Sequence, residues 1–318
     1  MISEKRIVNV ASYNRIESLI KTVESIYDQC DELNIFLNHF DGEIPLKFLD
    51  DKINIYFSDN RFGDALKFAR LEDSDGYYLT IDDDLIYPKN YVDYMVARCK
   101  EYSNQRVVTL HGKKFSSFPI QSYYKSHSEY YHCLQPMRKN VLVQFGGTGV
   151  MCFHTSLLKI PFYFFKLPNM ADIWVGKYCM ENNIEMICIT HPKDFLKYMD
   201  QKTTIHGHYS SNDGLQTSVV NSIFDRKINL ENLKNHNKNN SLEQTPDTLI
   251  QQPTLPPHEP VKIEKTLEKT QKQINYDTVN ATFQINNPKV IQKPQVNTNT
   301  NLKLNSSQIS MFAKKKFR

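Results

Sequence analysis

Three adjacent aspartates, Asp82-Asp83-Asp84, are the residues of this chain whose type and spacing most clearly suggest chemistry. They directly follow the apolar segment 76–81, which is typical of a buried strand. Neighbouring carboxylates repel one another and are costly to desolvate, so a folded domain that keeps three of them favours a bound cation. In an extended chain, Asp82 and Asp84 lie on one side and Asp83 on the other. Carboxylate oxygens suit Mg²⁺ or Mn²⁺, and a solvated acidic turn is the alternative.

Alternating strands and helices position this triplet. The apolar patterning predicts strands at 6–12, 31–38, 53–57, 76–81 and 107–111, and helices at 14–27, 63–71 and from 88 onward. Such alternation is typical of an open α/β sheet with mostly parallel strands. Ligands of such sheets bind beyond the carboxyl ends of the strands, which is where the triplet lies.

The second half of the domain is less regular. The stretch 113–140 is rich in Tyr, Ser, His and Lys with little periodicity, and we expect a loop-like excursion whose stretch 121–132 contacts an acceptor. Further elements are predicted as strands at 141–145, 150–154 and 184–189, a glycine-rich turn at 146–149, and helices at 169–182 and 215–224.

The order and spacing of these segments resemble GT-A fold glycosyltransferases of the family 2 type, especially bacterial enzymes that glycosylate surface glycans. The segments that carry the resemblance are 10–15, 35–38, 63–68, the strand into 82–84, 146–150 and 170–174, and the match covers roughly 6–224. It implies a Rossmann-like, mixed and mostly parallel central sheet flanked by helices. It also implies metal-dependent transfer of a sugar from a nucleotide sugar, foremost a UDP-sugar, to a hydroxyl of a glycan or glycolipid.

The resemblance assigns roles by position. It implies donor binding by Ala11, Ser12, Tyr13, Arg15, Gly63, Asp64, Lys67 and Asp83; Mn²⁺ or Mg²⁺ binding by Asp82 and Asp84; catalysis by Asp172; and acceptor contacts by Gly147, Thr148, Gly149 and Trp174.

Local alternatives stay open for the donor residues. Arg15 and Lys67 have the charge to neutralise a diphosphate, or they are surface cations at helix starts. Asp64 follows Gly63 where a helix begins, so it is also a candidate N-cap.

Alternatives also remain on the acceptor side. Asp172 has an apolar neighbourhood that would raise its basicity for deprotonating a hydroxyl, or it caps its own helix. Trp174 either stacks on a sugar or belongs to the core. Glycines at 146–149 permit close approach of a sugar or simply form a tight turn. His206 and His208 are candidate further metal ligands in a polar loop that is equally suited to plain exposure.

Charge divides the chain into two parts. The net charge of +4 combines −3 over 1–224 with +7 over 225–318. The low apolar content of 225–305 predicts a disordered polar linker after a 1–224 catalytic domain. The basic amphipathic segment 306–318 predicts docking, either on an anionic membrane surface or, through its QISMF sequence, on a sliding clamp; a tail without function is the alternative.

Other features limit the function classes. The six cysteines lack zinc-type spacing, and four of them, Cys30, Cys152, Cys179 and Cys188, have apolar neighbours. This predicts reduced, buried thiols of a cytoplasmic protein, which would be peripheral on the inner membrane face if the tail docks there. No apolar run of membrane-spanning length and no secretory signal occur in the sequence. The alternative functions are glycosylation of modified DNA bases, nucleotidyl transfer and non-catalytic sugar binding. The sequence lacks the glycine-rich phosphate loop expected of a nucleotidyltransferase, which argues against nucleotidyl transfer. The aspartate triplet argues against a non-catalytic sugar-binding module, which would not need it.

Overall fold

A computed structural model describes residues 2–199, 207 and 210–224. The predicted linker 225–305, the docking segment 306–318 and both His206 and His208 lie outside these residues. Within the described part, no helix has the length and apolarity needed to cross a membrane.

An eight-stranded sheet with the order β3-β2-β1-β4-β11-β6-β12-β9 organises the chain. Six of its strands run parallel, while β11 and β9 run antiparallel to their neighbours. The predicted fold class, a mixed and mostly parallel sheet flanked by helices, is confirmed. The strands are β1 (Arg6–Tyr13), β2 (Glu32–Asn38), β3 (Ile53–Ser58), β4 (Tyr77–Asp82), β5 (Leu85–Ile86), β6 (Arg106–Thr109), β7 (Gly112–Lys114), β8 (Glu129–Tyr131), β9 (Val141–Val143), β10 (Phe145–Gly146), β11 (Val150–His154), β12 (Glu185–Cys188) and β13 (Lys197–Tyr198).

Helices cover both faces of this sheet. They are α1 (Ile16–Ile26), α2 (Tyr91–Glu101), α3 (Ala171–Glu181) and α4 (214–224). One apolar cluster packs α1 and α2 on the first face, and a second cluster packs α3, α4 and the aromatic side chains of 115–165 on the other. Alternation along β1 explains the division, because Ile7 joins one cluster and Val8 the other.

A ladder of three asparagines, of which Asn9 and Asn34 are buried, crosses the sheet at one register. Asn54 donates to Asn34 (3.1 Å), Asn34 donates to Asn9 (3.0 Å), and Asn9 donates to the Leu79 carbonyl (3.2 Å). Asn9 lies opposite Asn34, and Asn34 opposite Asn54, in the parallel pairing. The amides satisfy one another, which removes most of the cost of burying them.

Three predicted elements differ in the structure. The predicted helix 63–71 is a 3-10 helix, Gly63–Phe68, because Gly63 has φ +52° and meets Asn169, so the segment follows tertiary contacts. The excursion 113–140 is more ordered than predicted, because β7 and β8 pair as an antiparallel hairpin that β10 extends. The predicted strand 141–145 is divided between β9 of the main sheet and β10 of this small sheet.

The six cysteines are all free and buried, in agreement with the predicted reduced, buried thiols.

Candidate active site at the carboxyl edge of the sheet

The aspartate triplet forms the turn between β4 and β5, at the carboxyl edge of the parallel strands. Asp82 ends β4 beside Ala11 of β1, and its side chain is 45% exposed. Asp83 is 5% exposed, and Asp84 is partly buried. The turn therefore presents one accessible carboxylate and two that the protein encloses.

Arg15 and Ser12 hold Asp83. The Ser12 hydroxyl donates to Asp83 Oδ2 at 2.6 Å, and the Arg15 guanidinium donates to Oδ1 at 3.0 Å. The same guanidinium nitrogen lies 3.5 Å from Asp84 Oδ2. Arg15 is therefore not a detached surface cation, because it links the end of β1 to the acidic turn.

Lys67 holds Asp82 from the opposite side. Its ammonium donates to Asp82 Oδ1 at 2.7 Å, and the residue is only 3% exposed. Burial lowers the pKa of Lys67, but the charges of Asp82 and Asp64 outweigh that effect and raise it overall. Lys67 is therefore a buried, charged partner of the turn.

Within the described part of the chain, the acidic turn has three carboxylates but only two cationic partners, Arg15 and Lys67. Burial, followed by the charges of Asp82 and Asp83, raises the pKa of Asp84 to about 7. Burial also raises the pKa of Asp83, against the opposing effect of Arg15. A cation at Asp84 would relieve this excess negative charge, and the all-oxygen donor set suits Mg²⁺ or Mn²⁺.

The glycine-rich turn packs directly on Asp82. A Cβ on Gly149 would lie 1.8 Å from Asp82 Oδ2, and one on Gly147 would lie 2.8 Å from the Cβ of His111. Thr148 between them is buried. These glycines are needed for close approach, since neither has a positive φ.

Tyr87 joins the two turns, a contact that sequence reasoning missed. The Asp82 amide donates to the Tyr87 hydroxyl (2.9 Å), which in turn donates to the Gly149 carbonyl (2.7 Å). The only signal in the sequence is that Tyr87 follows the triplet closely.

Asp64 caps a helix other than the one predicted for it. Its Oδ2 accepts from the Ala171 amide at the start of α3 (3.2 Å), and its Oδ1 is buried without a hydrogen-bond partner. Burial raises the pKa of Asp64 to about 6, against the opposing charge of Lys67. A Cβ on Gly63 would lie 2.2 Å from Asn169 Oδ1, so this segment is fitted closely to the start of α3.

Asp172 lies in the first turn of α3, close enough for its charge to raise the pKa of Asp64. The Tyr123 hydroxyl donates to Asp172 Oδ2 at 2.5 Å, and the Ile173 amide donates to Oδ1 at 2.9 Å. Asp172 does not cap α3 as a preceding residue would, because it belongs to the helix itself. Its carboxylate is oriented by Tyr123, a residue of the tyrosine-rich stretch 121–132.

A buried lysine borders this carboxylate. Lys113 lies 3.8 Å from the ring centre of Tyr123 and 4.4 Å from that of Tyr124. Burial lowers its pKa to about 8, although the charge of Asp172 opposes the shift. Nothing in the short polar sequence around Lys113 predicts this position.

Two predicted residues lie apart from the cluster. Trp174 is 5% exposed, its indole N–H donates to the Leu167 carbonyl at 3.1 Å, and Phe164 packs edge-on against it. Of the two roles that the sequence leaves open for Trp174, these contacts favour membership of the core. Tyr13 is 51% exposed and packs edge-on against His39 at the end of β2.

Comparison with known proteins gives little beyond this geometry. No family model and no curated protein matches the chain. Among solved structures, CMP:2-keto-3-deoxy-manno-octonic acid synthetase complexed with CTP is 11% identical; the alignment covers 58% of this chain and 88% of that one, with a TM-score of 0.35. A similarity this distant does not establish a shared fold family or function.

Proposed function

We propose that the chain is a metal-dependent glycosyltransferase that moves a sugar from a nucleotide sugar to a hydroxyl acceptor, as the motif resemblance implies. One observation carries the proposal: segments far apart in the sequence converge on the acidic turn at the carboxyl edge of the sheet. Arg15 and Lys67 contact that turn directly, Gly149 packs on it, and Asp172 lies nearby at the start of α3. Edges of this kind are where open α/β sheets bind ligands.

The donor diphosphate fits between the two cations. Arg15 and Lys67 approach the turn from different elements, and both already pair with its carboxylates. Asp82 and Asp84 would hold a divalent cation, which supplies positive charge to the leaving diphosphate when it is bound. In that state Lys67 would exchange its contact with Asp82 for one with a phosphate oxygen.

Asp172 is the proposed base for the acceptor hydroxyl. The acceptor oxygen forms a bond to C1 of the sugar, the bond from C1 to the diphosphate oxygen breaks, and the hydroxyl proton passes to Asp172. Tyr123 positions this carboxylate through its hydrogen bond to Oδ2. The remaining lone pairs of Oδ2 can accept from a hydroxyl.

A thermal-shift screen of nucleotide sugars, with and without Mn²⁺, tests the proposal. A matched donor should raise Tm by mass action, and more so with Mn²⁺ present. Asp82→Asn combined with Asp84→Asn should abolish both the Mn²⁺-dependent shift and turnover of the donor. Asp28→Asn, which alters an exposed aspartate at the amino end of β2 and so at the opposite edge of the sheet, is the matched control and should change neither.

The same screen separates the alternatives. A shift with a nucleoside triphosphate, and release of pyrophosphate when a sugar phosphate is added, would assign nucleotidyl transfer instead. Transfer to hydroxymethylated DNA but not to a glycan would keep the reaction and change the acceptor. Unchanged turnover in the double variant would refute the metal assignment.

A further inference from the structure

A second group of metal-ligating side chains lies outside the acidic turn. His111 directly precedes β7, and His132 and Cys133 directly follow β8. Each offers one ligand atom, and these three atoms all lie within 4.8 Å of one another. Within the described residues, no other group of three or more His, Cys, Asp or Glu side chains is close enough to hold a metal ion, and this group contains no carboxylate.

The backbone holds His111 firmly in this group. Its carbonyl accepts from the Gly147 amide (2.8 Å) and from the Thr109 hydroxyl (3.1 Å). The imidazole ring packs edge-on against that of His132, with ring centres 5.2 Å apart. The absence of a side chain on Gly147 is what allows the turn to lie against the ring.

The other two residues are fixed by burial and by a local contact. Cys133 is 9% exposed. His132 Nδ1 accepts from the Leu134 amide at 3.2 Å, a long hydrogen bond that a metal ligand bond can replace. All three side chains therefore sit in place before any ion arrives.

The donor set favours zinc over the ions suited to the acidic turn. Two imidazoles and a thiolate are preferred by Zn²⁺, whereas Mg²⁺ and Mn²⁺ prefer oxygen. Tetrahedral bonds of about 2.0–2.1 Å to nitrogen and about 2.3 Å to sulfur place neighbouring ligand atoms roughly 3.3–3.6 Å apart. The observed separations, all within 4.8 Å, exceed this spacing by no more than about 1.5 Å.

The electrostatic surroundings also favour a cation. Cys133 is close enough to Asp82 and Asp84 to feel the charges of both carboxylates. The cluster therefore lies within the negative field of the acidic turn. A bound cation would offset that field at the thiolate, and binding would release the thiol proton to solvent.

We propose that His111, His132 and Cys133 form a Zn²⁺ site with a fourth position for water. The ion would join the residue before the β7–β8 hairpin to the two residues after it, and so close the hairpin at its base. That hairpin carries Lys113 and encloses Tyr123, the partner of Asp172. The proposed role of the ion is to hold the hairpin in place, and it does not depend on whether the chain transfers a sugar.

Metal content and cobalt substitution test the site. The full chain, purified without a histidine tag and dialysed against Zn²⁺-free buffer, should retain about one zinc per chain. Replacing zinc by Co²⁺ should give the intense thiolate-to-cobalt absorption of a tetrahedral site. Cys133→Ser should abolish that band, and His132→Asn should weaken Zn²⁺ binding at least tenfold.

Matched variants locate the ion. Cys179→Ser, which alters a cysteine buried in α3, and the Asp82→Asn, Asp84→Asn double variant should both keep the zinc and the cobalt band. Substoichiometric zinc and no thiolate band in the wild-type chain would overturn the proposal without any variant having to fold. Loss of zinc from the aspartate variant, with retention in Cys133→Ser, would also overturn it.

Discussion

Replacing Lys67 by methionine should change the affinity for Mn²⁺ and the affinity for the nucleotide sugar in opposite directions. The ammonium is buried and lies 2.7 Å from Asp82 Oδ1, the carboxylate proposed to hold a divalent cation. Lys67 and a metal ion therefore compete for the same oxygen. Without nucleotide, removing Lys67 should strengthen Mn²⁺ binding. With nucleotide sugar, it should weaken donor binding, because a phosphate contact is lost.

The exposure of Asp82 sets the size of the first effect. Two unit charges about 4 Å apart repel by about 4 kcal/mol at an effective dielectric constant of about 20, and by about 1 kcal/mol in water. Because the Asp82 side chain is 45% exposed, we place the repulsion nearer the aqueous limit. About 1.4 kcal/mol corresponds to a tenfold rise in Mn²⁺ affinity. The variant should also be destabilised, by less than the cost of breaking a fully buried ion pair, about 3–5 kcal/mol, because the carboxylate left without its partner is half exposed.

Electron paramagnetic resonance of free Mn²⁺ measures the affinity without nucleotide. Isothermal titration with the donor found by the thermal-shift screen then measures the second effect. Lys47→Met is the matched control, because that lysine pairs with Glu24 on the surface and should change neither value. An unchanged or weaker Mn²⁺ affinity in a folded Lys67→Met chain would refute the competition and remove Asp82 from the metal site.

Three further outcomes follow from the same edge of the sheet. Gly149→Ala should reduce Mn²⁺-dependent turnover at least tenfold, because the new Cβ would lie 1.8 Å from Asp82 Oδ2, whereas Gly214→Ala, with its nearest neighbour at 3.9 Å, should be neutral in the same assay. Asp172→Asn should leave donor affinity by titration unchanged and lower kcat at least 100-fold; lost donor binding would make the residue structural. Burial and the two neighbouring aspartates raise the pKa of Asp84 to about 7, so the folded chain holds this proton more tightly than the unfolded chain. That contribution to stability is complete below about pH 4 and is lost as the pH rises through 7, so Asp84→Asn should raise Tm more at pH 8 than at pH 5 in the absence of metal, and an equal gain at both would contradict the assignment.

The sequence predicts the parallel sheet well because its strands are continuous apolar runs, such as 6–12 and 76–81. It fails where tertiary contacts override local pattern. Helical spacing over 63–71 becomes a 3-10 helix through the fit of Gly63 to Asn169. The strands β7 and β8 have three residues each, too few to show a period.

The site was predictable as a set of segments but not as a set of contacts. Chain order places Arg15, Lys67 and the aspartate triplet near strand ends, and the structure brings them together. Chain order could not reveal that Asp64 accepts a hydrogen bond from the Ala171 amide at the start of α3, because 107 residues separate the two. Hydrogen bonds between distant residues leave no local pattern, so they appear only in three dimensions.

The asparagine ladder has a consequence that reaches beyond the core. A shift of one residue between β1 and β2 would bring an apolar side chain opposite each amide and break the hydrogen bond from Asn34 to Asn9. The buried Asn9 Oδ1 would lose this donor, at a cost of about 1–3 kcal/mol. The same register that pairs Asn9 with Thr80 pairs Ala11 with Asp82 two residues later. The ladder therefore fixes the register of the strands. Because amides in the middle of the sheet hold β1 in line with its neighbours, the strands end level with one another, and the carboxylates of the turn lie beside their cationic partners.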